Sequence, residues 1–290
     1  MKIAIYGQQY RESDQPYVKT LQETLQQLGC EYAMHSVFHA GLAAHNATLA
    51  GAFPSFTHLP DGTDVLVTLG GDGTILRSLV LAYGKPVPVA GINLGRLGFL
   101  ATIQRDEIAA AITQIVQGKY SVSHRSLLSA TPQGVPALEH DFALNEIAVS
   151  RKDTASMIQV DTYLDDEFLT TYWADGLIIA TPTGSTGYSL SCGGPVLTPD
   201  TQAVVLTPIA PHNLNARPLV IPSSTRIKLV VHTREKEFLM SMDNRVERLA
   251  ADSTIIIQQA TETMPMVVLE DDSFLGTLSQ KLLWGQDKRN

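Results

Sequence analysis

The chain has 290 residues, 44% of them hydrophobic and 17% charged, with a formal net charge of −8. That length favours two cores over one, and the acidic balance argues against non-specific nucleic-acid binding while leaving room for an anionic substrate held by local charge or a metal ion. Cys30 and Cys192 are the only cysteines, so neither a disulfide framework nor a cysteine-rich zinc site is expected, and a reducing cytoplasm fits.

Met1-Lys2 leads straight into Ile3-Ala4-Ile5, with no signal-peptide pattern. Lys2–Gly7 reads as a first strand. Ser13 or Asp14 can cap the helix that follows, Pro16 suits its first turn, Val18, Leu21, Leu25 and Leu28 line one face, and Gly29 stops it. Glu31–Phe38 reads as a second strand. The stretch His39–His58 reads as short helix and loop; no carboxylate or cysteine accompanies its histidines, so no metal site is expected there. Nowhere does an apolar run reach the roughly 18 residues of a membrane span.

Asp64–Leu79 is the stretch around which the first half is organised. Val65, Leu66, Val67 and Leu69 form an apolar run suited to a strand buried on both faces. Gly70, Gly71 and Gly73 bracket Asp72, and Ile75, Leu76, Leu79 and Val80 follow at helical spacing. Glycines between a strand and a helix N-terminus suit a phosphate. An aspartate among them would repel that phosphate unless it faces a hydroxyl, or a metal ion carrying the phosphates. A plain capped turn is the alternative for this tetrapeptide alone.

Pro86–Asn93 gives another buried strand, and Gly91–Leu100 a second glycine-rich exit that includes Gly95. The helix Asp106–Gln117 closes a doubly wound, Rossmann-like α/β domain, assigned to residues 1–119. From about Tyr120 the texture changes to short Val-, Ile-, Thr- and Tyr-rich segments: Ser126–Thr131, Phe142–Ser150, Met157–Leu164, Glu167–Trp173, Leu177–Thr181, Leu219–Ile221, Ile227–His232, Phe238–Asp243, Thr254–Gln259 and Met266–Leu269. Their spacing predicts an all-β, sandwich-like domain over 120–270. Residues 271–290 form a tail whose Leu275, Leu278, Leu282 and Leu283, within Phe274–Trp284, have helical spacing and would pack back on the first domain.

One segment of the β-rich half departs from that texture. Asp175-Gly176 leads through a strand into Thr181-Pro-Thr-Gly-Ser-Thr-Gly-Tyr188-Ser189, then Ser191-Cys192-Gly193-Gly194-Pro195, which reads as a short helix. Hydroxyls and backbone N–H groups at that density suit ribose and phosphate oxygens. With the Asp72 turn in the other domain, this loop predicts a ligand cleft. Asn145-Glu146 is a polar pair in an apolar strand, and adjacent strand residues face opposite sides, so one points inward or to a ligand.

Taken together, Gly70-Gly71-Asp72-Gly73-Thr74, Gly91–Leu100, Asn145-Glu146, Asp175-Gly176, Thr181–Tyr188 and Gly193-Gly194-Pro195 resemble, in order and across nearly the whole chain, the motifs of bacterial NAD kinases. The first motif alone is shared with diacylglycerol and sphingosine kinases and with 6-phosphofructokinases. The resemblance implies transfer of the γ-phosphate of ATP to the 2′-hydroxyl of the adenosine ribose of NAD, a divalent cation, Mg2+ by preference, with no protein residue assigned as its ligand, and a cytoplasmic homodimer or homotetramer with neither nucleic-acid nor membrane partner. It implies that Asp72 takes or orients the hydroxyl proton, that Gly73 lies against the substrate, that Arg77 and His212 face phosphate and that Phe99 meets the adenine end. Asn145 and Glu146 would hold ribose or base, Asp175 the nicotinamide end, and Thr186, Gly187, Tyr188, Ser189 and Ser191 would line the NAD pocket. Three positions depart from the family: Gly187 where alanine is usual, Trp173 where arginine is frequent, and Arg245, itself placed at the substrate, where Asp-Gly-Gln is common. The rivals are a lipid kinase of the diacylglycerol type, whose access surface would be more apolar, and a non-enzymatic NAD(H) sensor, although Gly-Gly-Asp-Gly lacks Gly-x-Gly-x-x-Gly spacing.

Overall fold

A computed structural model describes residues 1–153 and 156–283. The chain forms two compact units, one of residues 1–124 together with the segment from Met264 onward, the other of Arg125–Thr263.

In the first unit, β1 (Lys2–Gly7), α1 (Gln15–Gln27), β2 (Glu31–His35), α2 (Ser36–His45), α3 (Ala47–Ala50), β3 (Ser55–Phe56), β4 (Val65–Leu69), α4 (Asp72–Ala82), β5 (Val89–Asn93), β6 (Ile103–Gln104) and α5 (Ile108–Val116) follow one another. Strands β3-β2-β1-β4-β5 lie parallel in that order, with β6 beside β5. This is the doubly wound arrangement, which reverses direction between β1 and β4 and opens a crevice beyond their carboxyl ends. All five residues of β4 and of β5 are buried, which is why both strands read as unbroken apolar runs.

Two local readings change. The second strand stops at His35, not Phe38; from Ser36 the apolar spacing switches to i, i+4, and Phe38 and Leu42 are buried on α2. At α1 the N-cap is Asp14, whose side chain does not cap the helix. Instead its Oδ2 accepts the Arg11 N–H at 3.0 Å and closes the 3-10 turn Glu12–Asp14.

The second unit contains most of β7 (Tyr120–Pro132), then β8 (Phe142–Ala143), β9 (Glu146–Ser150), β10 (Ile158–Leu164), β11 (Glu167–Ala174), β12 (Gly176–Ala180), α6 (Tyr188–Ser191), β13 (Ala203–Ile209), β14 (Leu219–Pro222), β15 (Ile227–His232), β16 (Glu237–Met242), β17 (Arg245–Ala250) and the start of β18 (Ser253–Leu269). One sheet runs β14-β13-β12-β9-β16-β17, and the other contains β11-β10-β15-β18 with β7 and β8. Ile147, Val149, Leu177 and Ile179 of the first sheet share one core with Ile158, Val160, Leu229 and Val231 of the second. Two sheets closed on one apolar layer are a β-sandwich. Strands β13 and β17 were not expected from the sequence, and the two segments Thr254–Gln259 and Met266–Leu269 belong to a single strand, β18.

After β18, whose Met266 pairs in parallel with Val89 of β5, α7 (Phe274–Leu282) ends the first unit's described part. Leu278 is its buried residue, and the Asp272 carboxylate before it accepts the Thr102 hydroxyl at 2.8 Å. Trp284 lies outside the described residues. No described helix is long and apolar enough to cross a membrane.

Candidate active site

Gly70 and Gly71 form the whole turn between β4 and α4, so Asp72 opens the helix at the carboxyl edge of the sheet. Its carboxylate is tied to the loop after β5. Oδ2 accepts the N–H of Phe99 at 2.8 Å, and Oδ1 accepts those of Leu100 and Ala101, each at 3.0 Å. Three donors leave about one of the four lone-pair sites of a carboxylate free, and the count places it on Oδ2. Lys281 of α7 faces the same oxygen, with Nζ 3.9 Å from Oδ2 and 4.5 Å from the centre of the Phe99 ring. Gly73 and Arg77 are exposed on α4.

Beside the turn lies a pocket of about 270 Å³ at the ends of β1, β4 and β5, lined among others by Gln8, Arg11, Gly70, Gly71 and Arg96. Two guanidinium-bearing residues and the Gly70-Gly71 turn give this pocket groups that can hold phosphate oxygens, and the Asp14 carboxylate lines it too. Among the described residues, no three His, Cys, Asp or Glu side chains converge to hold a metal ion.

In the sandwich unit the polar pair is locked from two sides. Asp243, in the left-handed region at φ 54°, turns β16 into β17 and accepts the N–H groups of Leu144, Asn145 and Glu146 at 2.9, 2.8 and 3.2 Å. From the opposite direction, the Thr181 hydroxyl donates to the Leu144 carbonyl at 2.6 Å, and the Thr181 N–H to the Asn145 carbonyl at 2.9 Å. Gly184 packs so closely that a Cβ there would fall 2.0 Å from the Asn145 carbonyl oxygen, so only glycine fits.

Within this frame several buried polar atoms have no partner: Asn145 Oδ1, Glu146 Oε2, Thr183 Oγ1 and Arg245 Nη1. A cluster of unpaired polar atoms costs stability unless a ligand satisfies it. Burial, and secondarily the Asp243 carboxylate, push the Glu146 carboxyl up to about 8, with the Tyr188 N–H opposing. Without ligand at neutral pH, Glu146 is therefore mostly a neutral acid able to donate as well as accept.

The remaining expected residues fall into distinct settings. Thr186 donates its hydroxyl to the Thr183 carbonyl at 3.1 Å, while Tyr188 and Ser191 are exposed. Ser189 is buried, with its hydroxyl 2.8 Å from that of Thr207. Asp175 is paired with Arg151 at 2.9 Å. His212 is exposed, and its backbone N–H donates to the Trp173 carbonyl at 2.7 Å. Arg245 lies over the Phe142 ring, 4.4 Å from its centre, and donates to the Phe142 and Met242 carbonyls. Gly98, Thr183, Asp243 and Lys281 were not singled out from the sequence. A positive-φ Asp-Asn turn was the available signal for Asp243; nothing in the sequence pointed from Lys281 to Asp72.

A phosphate-fitting turn that carries its own carboxylate fits one class of protein, phosphotransferases whose acceptor is an alcohol. Comparison with known proteins narrows this. Residues 3–120 match the ATP-NAD kinase N-terminal domain and residues 144–269 the ATP-NAD kinase C-terminal domain. Proteins described as NAD kinase from Christiangramia forsetii and Flavobacterium psychrophilum are 52% and 46% identical, each over 100% of both chains. Among solved structures, yeast NADH kinase complexed with NADH superposes with a TM-score of 0.85 at 25% identity, covering 100% of this chain and 89% of that one. An Archaeoglobus fulgidus NAD kinase in complex with ATP gives 0.77 at 26% identity, covering 98% and 99%. The chain belongs to the ATP-NAD kinase family, and its activity is ATP-dependent phosphorylation of NAD. Neither the lipid kinase nor the non-enzymatic sensor finds support.

Proposed function

We propose that Asp72 receives the 2′-hydroxyl of the adenosine ribose of NAD on Oδ2 and accepts its proton as the oxygen attacks the γ-phosphorus of ATP, the bond from that phosphorus to the β,γ-bridging oxygen breaking and ADP leaving. The observation that carries this reading is the three-amide clamp, which fixes the carboxylate and leaves one lone pair beside a phosphate-fitting turn. A carboxylate is a weak base, so it acts chiefly by orienting the hydroxyl, with proton transfer late; phosphoryl transfer depends mostly on positioning and charge neutralisation. The turn amides, Arg11 and Arg96 take the donor's phosphates. The unpaired atoms of Asn145, Glu146, Thr183 and Arg245 hold polar groups of NAD, a role supported by their burial without partners.

A divalent cation accompanies ATP in this reading. With no converging trio of ligands among the described residues, the fit is to an ion such as Mg2+ held by the phosphate oxygens of ATP and by water. Bound there, the ion would neutralise charge on the donor phosphates. A cytoplasmic homodimer or homotetramer belongs to the same proposal.

The test is Asp72→Asn, assayed with Mg–ATP and either NAD or NADH by following NADP or NADPH. Turnover is lost while NAD binding, measured by calorimetry, persists. Near-wild-type kcat would overturn the assignment.

A further inference from the structure

Lys281 contacts both halves of the clamp that holds Asp72. Its ammonium is 3.9 Å from Asp72 Oδ2 and 4.5 Å from the centre of the Phe99 ring, and Phe99 supplies the one amide bound to that same oxygen. The other oxygen is already shared by two amides. The cation is therefore beside the oxygen that has spare hydrogen-bonding capacity, at a distance too long for a hydrogen bond of its own. Its helix is held in register by buried Leu278 and by the Thr102–Asp272 hydrogen bond, which lies one residue beyond the clamp's last amide. The whole arrangement belongs to one compact unit.

We propose that Lys281 is a positioning residue for the phosphoryl acceptor: it keeps Oδ2 and the Phe99 backbone together, so that the hydroxyl meets a carboxylate of fixed direction. The inference rests on the reading of Asp72 given above. Lys281 and Asp72 are each about one-third exposed, at 33% and 29% of their side chains. A pair that wet contributes little to folding, so its effect falls on turnover rather than on stability.

The experiment compares wild type with Lys281→Met, Lys281→Arg and Asp72→Asn in the full chain, measuring kcat, KM for NAD and ATP, and Tm. Lys281→Met lowers kcat about tenfold with both KM values nearly unchanged, as for an interaction realised in the transition state. Its Tm stays at the wild-type value, and Lys281→Arg recovers most of the rate. Wild-type kcat in Lys281→Met, a rise in KM instead of a fall in kcat, failure of Lys281→Arg to recover the rate, or a parallel collapse of Tm would each overturn the proposal. If any of these occurs while Asp72→Asn is inactive, the Asp72 assignment stands and only the lysine's role falls. Full activity in Asp72→Asn removes both.

Discussion

Gly98 and Asp72 are in contact so close that no other residue fits: a Cβ at position 98 would lie 1.9 Å from Asp72 Oδ1 and 2.7 Å from its Cγ. The missing side chain is thus the space into which the carboxylate reaches to collect the Leu100 and Ala101 amides. Gly98→Ala must push Asp72 off these donors or displace the loop. Since a misplacement of about 1 Å can cost about 100-fold in rate, kcat is expected to fall by that order, while circular dichroism and the cooperative melt remain native-like. A variant with wild-type turnover would show that the clamp does not set the carboxylate's position.

Much of the first unit could be read from sequence because its core strands are buried on both faces and leave unbroken apolar runs, with Gly70-Gly71 marking the turn between β4 and α4. The same logic failed for β13, equally apolar but carrying Pro208, a residue that argues against a strand interior, and for β17, where only Leu249 is buried and no alternation survives. In β18 the polar stretch around Gln258–Glu262 resembles a loop, yet it is continuous strand, because exposed strand residues leave no hydrophobic signature. No linker marks the boundaries either, since the chain passes between units within β7 and within β18. Of the site, the residues with unusual chemistry for their place, Asp72 and Asn145-Glu146, were legible. Their holders were not: Gly98, Asp243 and Lys281 reach them over 26, 97 and 209 positions in sequence respectively, counting Asp243 to Glu146 and the other two to Asp72.

Asp243 is such a holder. Its carboxylate satisfies three consecutive backbone N–H groups, and burial pushes its ionisation upward against the pull of those same amides. Asp243→Ala strands all three donors and loses a residue suited to positive φ. Destabilisation of about 3–5 kcal/mol is expected by urea titration, with a higher KM for NAD in whatever folds. Asp243→Asn keeps one acceptor oxygen and tolerates the turn, so it should be milder. Equal effects of the two would contradict the holding role.

Glu146 makes stability depend on pH in a defined direction. Its carboxyl sits at about 8 when folded, against an ordinary value of 4.5. Between those values the folded state binds more protons than the unfolded chain, so stability is full below about pH 4.5 and falls as pH rises through about 8. The loss is a few kcal/mol at most. Glu146→Gln removes the titration: its melting temperature should exceed that of wild type at pH 8.5 by more than it does at pH 5.5. Parallel pH profiles for the two proteins would exclude Glu146 as the source.

Gly187 stands against this same carboxyl. A Cβ there would be 3.1 Å from Glu146 Oε2, 3.2 Å from the Gly184 carbonyl oxygen and 3.4 Å from Asn145 Nδ2. The nearest atom is the end of a side chain that can shift by a few tenths of an ångström, but the Gly184 carbonyl oxygen is backbone and yields less, so Gly187→Ala should fold with a loss of about 1–3 kcal/mol. The added methyl covers a carboxyl already short of water, which favours its neutral form still further. The expected signature is therefore a Glu146 titration, followed by NMR of the labelled carboxyl, displaced upward from the wild-type value. A downward displacement would mean that the side chain has swung out into solvent, and the cluster around Asn145 would then lose its acid.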